Sequence, residues 1–279
     1  MLRFVALALV LLIAVGVCAA TGGFADLSWL WILPVSVLGS AAGLAAVHFL
    51  VLWISCELVD MEKPQEKDSP YFRFLTSYTA EQALQLVQAR MHTRGLEKIP
   101  QTGRFLLVCN HLNDLDPVVL YYYFRKSGMI FISKRENATM FVVGKVMHKL
   151  RCQLINREND REALKTILEC IRLIKEDEAS VAVFPEGYTS MDGLLHPFRS
   201  GVFKIALKTK VPIVVCTLQN TQKVFGNAKR LKPTDVHLHL LDVLQPEQLE
   251  GMTAVEVAEK VHTMMAEDLG PELVLQETP

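Results

Sequence analysis

Apolar positions change their period twice along this chain. Residues 2–20, LRFVALALVLLIAVGVCAA, are apolar on every side and carry one charge, Arg3. Residues 29–55 form a second apolar stretch without Asp, Glu, Lys or Arg, and include Pro34 and the small-residue run GSAAGLAA. A helix over the first stretch is about 28 Å long, near the thickness of a bilayer core. Small residues let helix backbones approach closely in lipid. The pair predicts a two-helix transmembrane hairpin over residues 1–55. A cleaved leader is the competing reading of the first stretch, because a basic start and CAA before Thr21 resemble a processing site. The second apolar stretch close behind favours the hairpin. Its connecting loop, TGGFADLS, lacks Lys and Arg, which places both ends of the hairpin on the cytoplasmic side.

Residues 56–70, CELVDMEKPQEKDSP, are polar and hold two prolines, the pattern of a linker. YFRFLTSYTAEQALQLV follows, either a packing helix or an interfacial helix lying at the lipid headgroups. Residues 56–86 thus form a linker and helix between two larger parts. From residue 87 the pattern alternates. Short apolar runs predict strands over 91–96, 105–110, 129–133, 153–156, 180–184, 211–218 and 236–243, several of them continuous enough to be buried on both faces. A helix is predicted over 162–175, with Leu164, Ile167, Leu168, Ile171 and Ile174 on one face and Asn159 with Glu162 as a capping-box-like start. Further helices are expected over 198–208 and 254–269. This alternation predicts an α/β domain over residues 87–279, a largely parallel central sheet flanked by helices.

Composition sharpens this picture. Hydrophobic residues make up 51% of the 279, as a membrane hairpin beside one large domain requires. The net charge is −1 and no basic stripe is present, which argues against nucleic acid as a partner. The six cysteines lie at 18, 56, 109, 152, 170 and 216 with no Cys-x-x-Cys pair, the usage of a reducing compartment rather than of a disulfide scaffold.

Three strand ends carry candidate chemistry. VCNHLNDLDPVVL, residues 108–120, places His111, Asp114 and Asp116 after an apolar strand, where ligand sites gather in open α/β sheets. Asp116 precedes Pro117 and reads as a helix N-cap, a role compatible with holding an imidazole. Asp114 is expected to tip the loop by bonding local amides. A metal would need further ligands, and His148, His196, His237 and His239 are not spaced to provide them, so neither metal nor cofactor is expected. VAVFPEGYTS, residues 181–190, ends in a turn with Glu186 and Gly187 at its mouth. Either Pro185–Gly187 leaves amides free to face a ligand, or Glu186 simply points to solvent. LINRENDRE, residues 154–162, puts Arg157 just before a helix N-terminus, where a guanidinium beside free amides suits an anion. The alternative is a surface ion pair with Glu158 or Glu162. Cys109 shares a face with His111 in strict alternation, yet it continues an apolar run and reads as core.

Taken in order, NHLNDLD, LINR, FPEGYTS and VPIVV resemble the four blocks of the 1-acylglycerol-3-phosphate acyltransferase (lysophospholipid acyltransferase) family, the first as Asn-His-x-x-x-x-Asp and the third as Phe-Pro-Glu-Gly-Thr-Arg-Ser. HPFRSGVFKIALKTKVPIV is similar to the segment linking the third and fourth blocks. The resemblance covers residues 89–220. It implies a membrane-bound O-acyltransferase of phospholipid biosynthesis. The acyl group of a thioester co-substrate, acyl-coenzyme A or acyl carrier protein, would move to a lysophospholipid hydroxyl. The acceptor it points to is 1-acyl-sn-glycerol-3-phosphate (lysophosphatidic acid), giving phosphatidic acid. It also implies that His111 and Asp116 are the catalytic pair, with Asn110, Arg157, Glu186 and Gly187 on substrate-binding blocks. In that reading His111 removes the hydroxyl proton, Asp116 orients the ring, and amides near Gly187 meet the oxyanion. The setting it implies is a cell inner membrane, with the domain on the cytoplasmic side among membrane lipids. One departure stands out. Tyr188, Thr189 and Ser190 occupy the places of Thr-Arg-Ser, so a basic side chain is missing and one phosphate contact is unassigned. Another hydroxyl acceptor, a hydrolase, and a non-catalytic lipid-binding protein on the same fold are the alternatives.

Overall fold

The computed structural model describes residues 2–65 and 67–275, with side chains from residue 4 onward; the charge of Arg3 lies outside the described side chains. The chain divides into two compact units, Met1–Pro64 and Gln65–Pro279.

The first unit consists of α1 (Leu2–Ala20), a 3₁₀ turn (Gly23–Ala25) and α2 (Trp29–Glu57). The two helices pack on each other. Val10, Ala14 and Cys18 recur every fourth residue as the buried stripe of α1, and the Ser40 hydroxyl donates to Val10 O at 3.3 Å. Most other large apolar side chains here are exposed, Leu12, Trp31, Leu38 and Trp53 among them. Among the described residues α2 is long and apolar enough to cross a membrane, while the apolar part of α1, Phe4–Ala20, is shorter.

The second unit opens with α3 (Pro70–Leu86). Ser69 caps it by accepting from Phe72 N, and Pro70 takes the first helical position. Phe72, Leu75, Ala80 and Leu84 are buried, so this segment is a packing helix. Arg73 fastens it, pairing with Asp68 at 2.8 Å and donating to Met129 O.

There follow β1 (Ala89–Arg94), β2 (Leu106–Cys109), α4 (Asp116–Tyr123), β3 (Ile130–Lys134), α5 (Phe141–Lys149), β4 (Gln153–Ile155), α6 (Asp160–Lys175) and β5 (Val181–Val183). Next come α7 (Lys204–Thr209), β6 (Ile213–Gln219), α8 (Val224–Ala228), β7 (Thr234–Leu244) and α9 (Ala254–Leu269). The strands form one sheet in the order β1-β7-β6-β2-β5-β3-β4. Every neighbouring pair is parallel except β6 with β7.

β2 explains why the central strands read as unbroken apolar runs. All four of its residues are buried. Leu106 and Val108 enter one core, shared with α6, α7 and α9. Leu107 and Cys109 enter the other, shared with α3, α4 and α8. A strand covered on both faces has no polar side to alternate with. VPIVV joins the sheet just ahead of β6, where Pro212 O accepts from Leu106 N at 3.0 Å.

All seven predicted strands are present, with ends shifted by up to two residues. Three helix expectations need correction. The buried side of α6 is Thr166, Ile167, Cys170, Leu173 and Ile174, whereas Leu164 and Leu168 are 47% and 55% exposed. Thr166 turns inward because its hydroxyl has an acceptor there, Leu154 O at 2.7 Å. Asn159 does cap α6, accepting from Arg161 N and Glu162 N, but the box stays open because Glu162 turns to Asn156 and Arg135. The helix predicted over 198–208 begins only at Ser200, as a 3₁₀ turn leading into α7.

Candidate active site

β2 and β5 are adjacent parallel strands, registered Leu106 to Val181 and Val108 to Val183. Their C-terminal ends therefore open on the same edge of the sheet, one leading to His111 and the other to Glu186.

Asp116 is fully buried and begins α4. It does not occupy the N-cap position; Leu115 does, without a side-chain bond. The Asp116 carboxylate instead turns back onto the loop. Oδ2 accepts from Leu112 N at 2.6 Å, Asn113 N at 2.7 Å and His111 Nδ1 at 2.9 Å. A carboxylate in this role only accepts, so Nδ1 carries the proton and Nε2 presents a lone pair. Nε2 has no protein partner among the described residues. The ring stacks on Phe184 with centroids 4.2 Å apart, and the His111 side chain is 13% exposed. Asp114 is exposed, and the loop-bonding expected of it falls to Asn113, whose Oδ1 accepts from Leu115 N at 2.9 Å.

Asn110 and Glu186 were expected on the substrate side, but their polar atoms are already engaged. Asn110 donates to Leu218 O at 2.9 Å and accepts from Leu218 N at 2.7 Å. It thereby continues the β2–β6 ladder with a side chain in place of backbone. Glu186 is 1% exposed. One carboxylate oxygen accepts from His111 N at 2.8 Å; the other accepts from Ser190 Oγ and from His196 N at 3.2 Å. Glu186 thus straps the β2 loop to the β5 loop. Burial raises its pKa, opposed by these donors. Neither residue lines the neighbouring cavity.

That cavity, about 490 Å³, is bordered by Phe184, Gly187, Arg157 and Arg199, with Ile132 and Ile167 among its apolar walls. Phe184 connects it to the His111 ring, on which it also stacks. Arg157 has no ion pair with Glu158 or Glu162; Glu162 is taken by Arg135. Burial lowers the Arg157 pKa and Arg199 nearby lowers it further, opposed by Glu136. The helix amides beside Arg157 are not free as expected, because Asn159 caps them. The Gly187 amide is engaged as well, donating to Phe184 O at 3.1 Å. The cations bordering this cavity are the side chains of Arg157, Arg199 and Lys204.

Sequence reasoning set His196 aside as isolated. The structure places it in the loop after β5, where Nδ1 meets the Tyr188 hydroxyl at 2.8 Å and Nε2 meets Asp192 at 2.9 Å. No sequence signal joins these three residues, since each partner depends on how the loop folds back. Cys109 lies wholly inside the core, and burial pushes its thiol far up, with Cys216, Asp116 and Glu186 adding to the shift. Among the described residues no three His, Cys, Asp or Glu side chains are grouped to hold a metal ion.

The His–Asp pair at the end of one parallel strand and the Phe-Pro-Glu-Gly turn at the end of the next, whose Glu straps it, both lie within residues 90–219. Residues 90–219 match the family described as Acyltransferase. Through this domain the chain is similar to 1-acyl-sn-glycerol-3-phosphate acyltransferases. It is 28% identical over 167 residues to a 1-acyl-sn-glycerol-3-phosphate acyltransferase of Cocos nucifera, covering 60% of this chain and 54% of that one. It is 27% identical over 191 residues to one of Borreliella burgdorferi, covering 65% and 76%. The chain thus spans about half the length of the first relative. The fold is also that of the 1-acyl-sn-glycerophosphate (LPA) acyltransferase of Thermotoga maritima, with a TM-score of 0.62 at 19% identity over 83% of this chain and 91% of that one.

Proposed function

We propose that this protein transfers a fatty acyl group from a thioester to the free hydroxyl of 1-acyl-sn-glycerol-3-phosphate, giving phosphatidic acid. The observation that carries this reading is the His111 ring, fixed through Nδ1 by a fully buried Asp116 and left with Nε2 unpartnered. The relatives' names supply the acceptor.

His111 Nε2 takes the hydroxyl proton while the oxygen attacks the thioester carbonyl. The tetrahedral adduct collapses, the C–S bond breaks, and the imidazolium returns the proton to the departing sulfur. The products are an ester and a free thiol. Asp116 keeps the ring in the productive tautomer and stabilises the imidazolium. No acyl-enzyme forms, which agrees with the burial of Cys109. Arg157 faces the acceptor's phosphate, and the thioester is acyl-coenzyme A or acyl carrier protein. The apolar hairpin lies in the membrane and tethers the domain to the lipids it acts on, on the cytoplasmic side of a cell inner membrane.

The test is thiol release from long-chain acyl-coenzyme A by the purified protein, with and without lysophosphatidic acid, beside His111→Ala. Release should require the acceptor and fall about 10²–10⁴-fold in the variant. Release without acceptor would make the protein a hydrolase. No release with any lysophospholipid or with an acyl-carrier-protein donor would make it a binding protein.

A further inference from the structure

The third block of this chain lacks the cation of the family it resembles, and the structure supplies one from further along. Arg199 is tied to the Pro185–Gly187 turn, its amide donating to Pro185 O at 2.8 Å. Its side chain then passes directly over Gly187. A Cβ added to Gly187 would stand 2.8 Å from Arg199 Nε and 2.9 Å from Cδ. Gly187 also has φ +83°, so glycine is required there twice, for the turn and for the passage of the guanidinium.

Arg199 and Arg157 line the same cavity, and the charge of Arg199 helps lower the Arg157 pKa. Among the described residues neither has a carboxylate within salt-bridge distance or a side-chain hydrogen-bond acceptor. Asp160 is the acidic residue on the cavity wall, and Lys204 on the same wall offsets it. An ordinary surface arginine relaxes toward water or a nearby acid. This one has its backbone pinned and its side chain routed through a glycine gap toward another arginine. Two guanidinium forks at one cavity mouth, neither ion-paired, with Glu136 acting on Arg157 only from beyond salt-bridge distance, fit an anion of about −2 with several acceptor oxygens, which describes a phosphate monoester at neutral pH.

We propose that Arg199 is the second cation of the acceptor's phosphate site, acting in place of the arginine absent at Thr189, and that with Arg157 it selects a phosphate monoester over zwitterionic or neutral head groups. The proposal rests on the acyl-acceptor reading given above. A phosphodiester carries one negative charge and would leave one guanidinium uncompensated.

The experiment compares full-length wild type with Arg199→Gln, and with Arg199→Gln combined with Thr189→Arg. Acceptor KM and kcat are measured with lysophosphatidic acid, alongside the KM for acyl-coenzyme A. Losing one charge-assisted contact should raise the lysophosphatidic acid KM about 10–150-fold. The donor KM should stay where it was, and the double variant should recover acceptor affinity. An unchanged acceptor KM would overturn the proposal. So would an equal loss for donor and acceptor, the mark of a merely structural residue. Binding of sn-glycerol 3-phosphate without any donor, by calorimetry, separates this proposal from the reading beneath it. If wild type does not acylate lysophosphatidic acid but binds the phosphate and Arg199→Gln does not, the function is wrong and the site stands. Absent binding, or binding equal in both proteins, together with that inactivity, would overturn the site as well.

Discussion

Glu186 holds donors from three stretches of chain while exposing 1% of its surface. Burial raises its pKa above the ordinary glutamate range. Folding therefore favours its neutral form. That contribution to stability is fully present below the ordinary glutamate pKa and is lost as pH rises through the raised value. Glu186→Gln stays neutral throughout, so the thermal midpoint of wild type minus that of the variant should shrink with rising pH. A difference that grows with pH would mean that the three donors outweigh burial. This strap was not legible in the sequence, because its partners lie up to 75 positions away. His111 and Asp116 were legible because one loop contains both. Arg199 lay within a recognised segment, yet only the folded turn shows that it crosses Gly187.

The strands were the most legible elements, since apolar runs bounded by turns survive burial on both faces. Faces and caps were less so. The expected side of α6 counted Leu164 and Leu168 and left out Thr166, but a threonine with a buried acceptor is satisfied inside. The short helices α4, α5 and α8 are held by their packing rather than by a long apolar period; only the start of α4, at Asp116 and Pro117, was expected. The exit of β1 carries a sharper constraint. Gly95 has φ +76°, and a Cβ there would lie 2.1 Å from Leu240 O. Gly95→Ala combines left-handed strain with a backbone clash, so it should destabilise by about 2–4 kcal/mol, read as a lower denaturant midpoint. An unchanged midpoint would mean that β7 can yield at that point.

On the scale of the molecule, both hydrophobic cores and every residue of the candidate site belong to the unit Gln65–Pro279. A fragment of residues 65–279 should therefore keep the sheet by circular dichroism while no longer sedimenting with phospholipid vesicles. Full vesicle binding by the fragment would move the membrane anchor out of the apolar helices. The adjacency of β2 and β5 has one further consequence, in the order of events during folding. His111 and Asp116 find each other within a single loop, but the strap between His111 and Glu186 closes only after a long stretch of chain has been threaded into parallel register. A nascent or stalled chain can thus possess its histidine–aspartate pair and still be silent, so that recovered turnover marks the completion of the sheet rather than the formation of the loop.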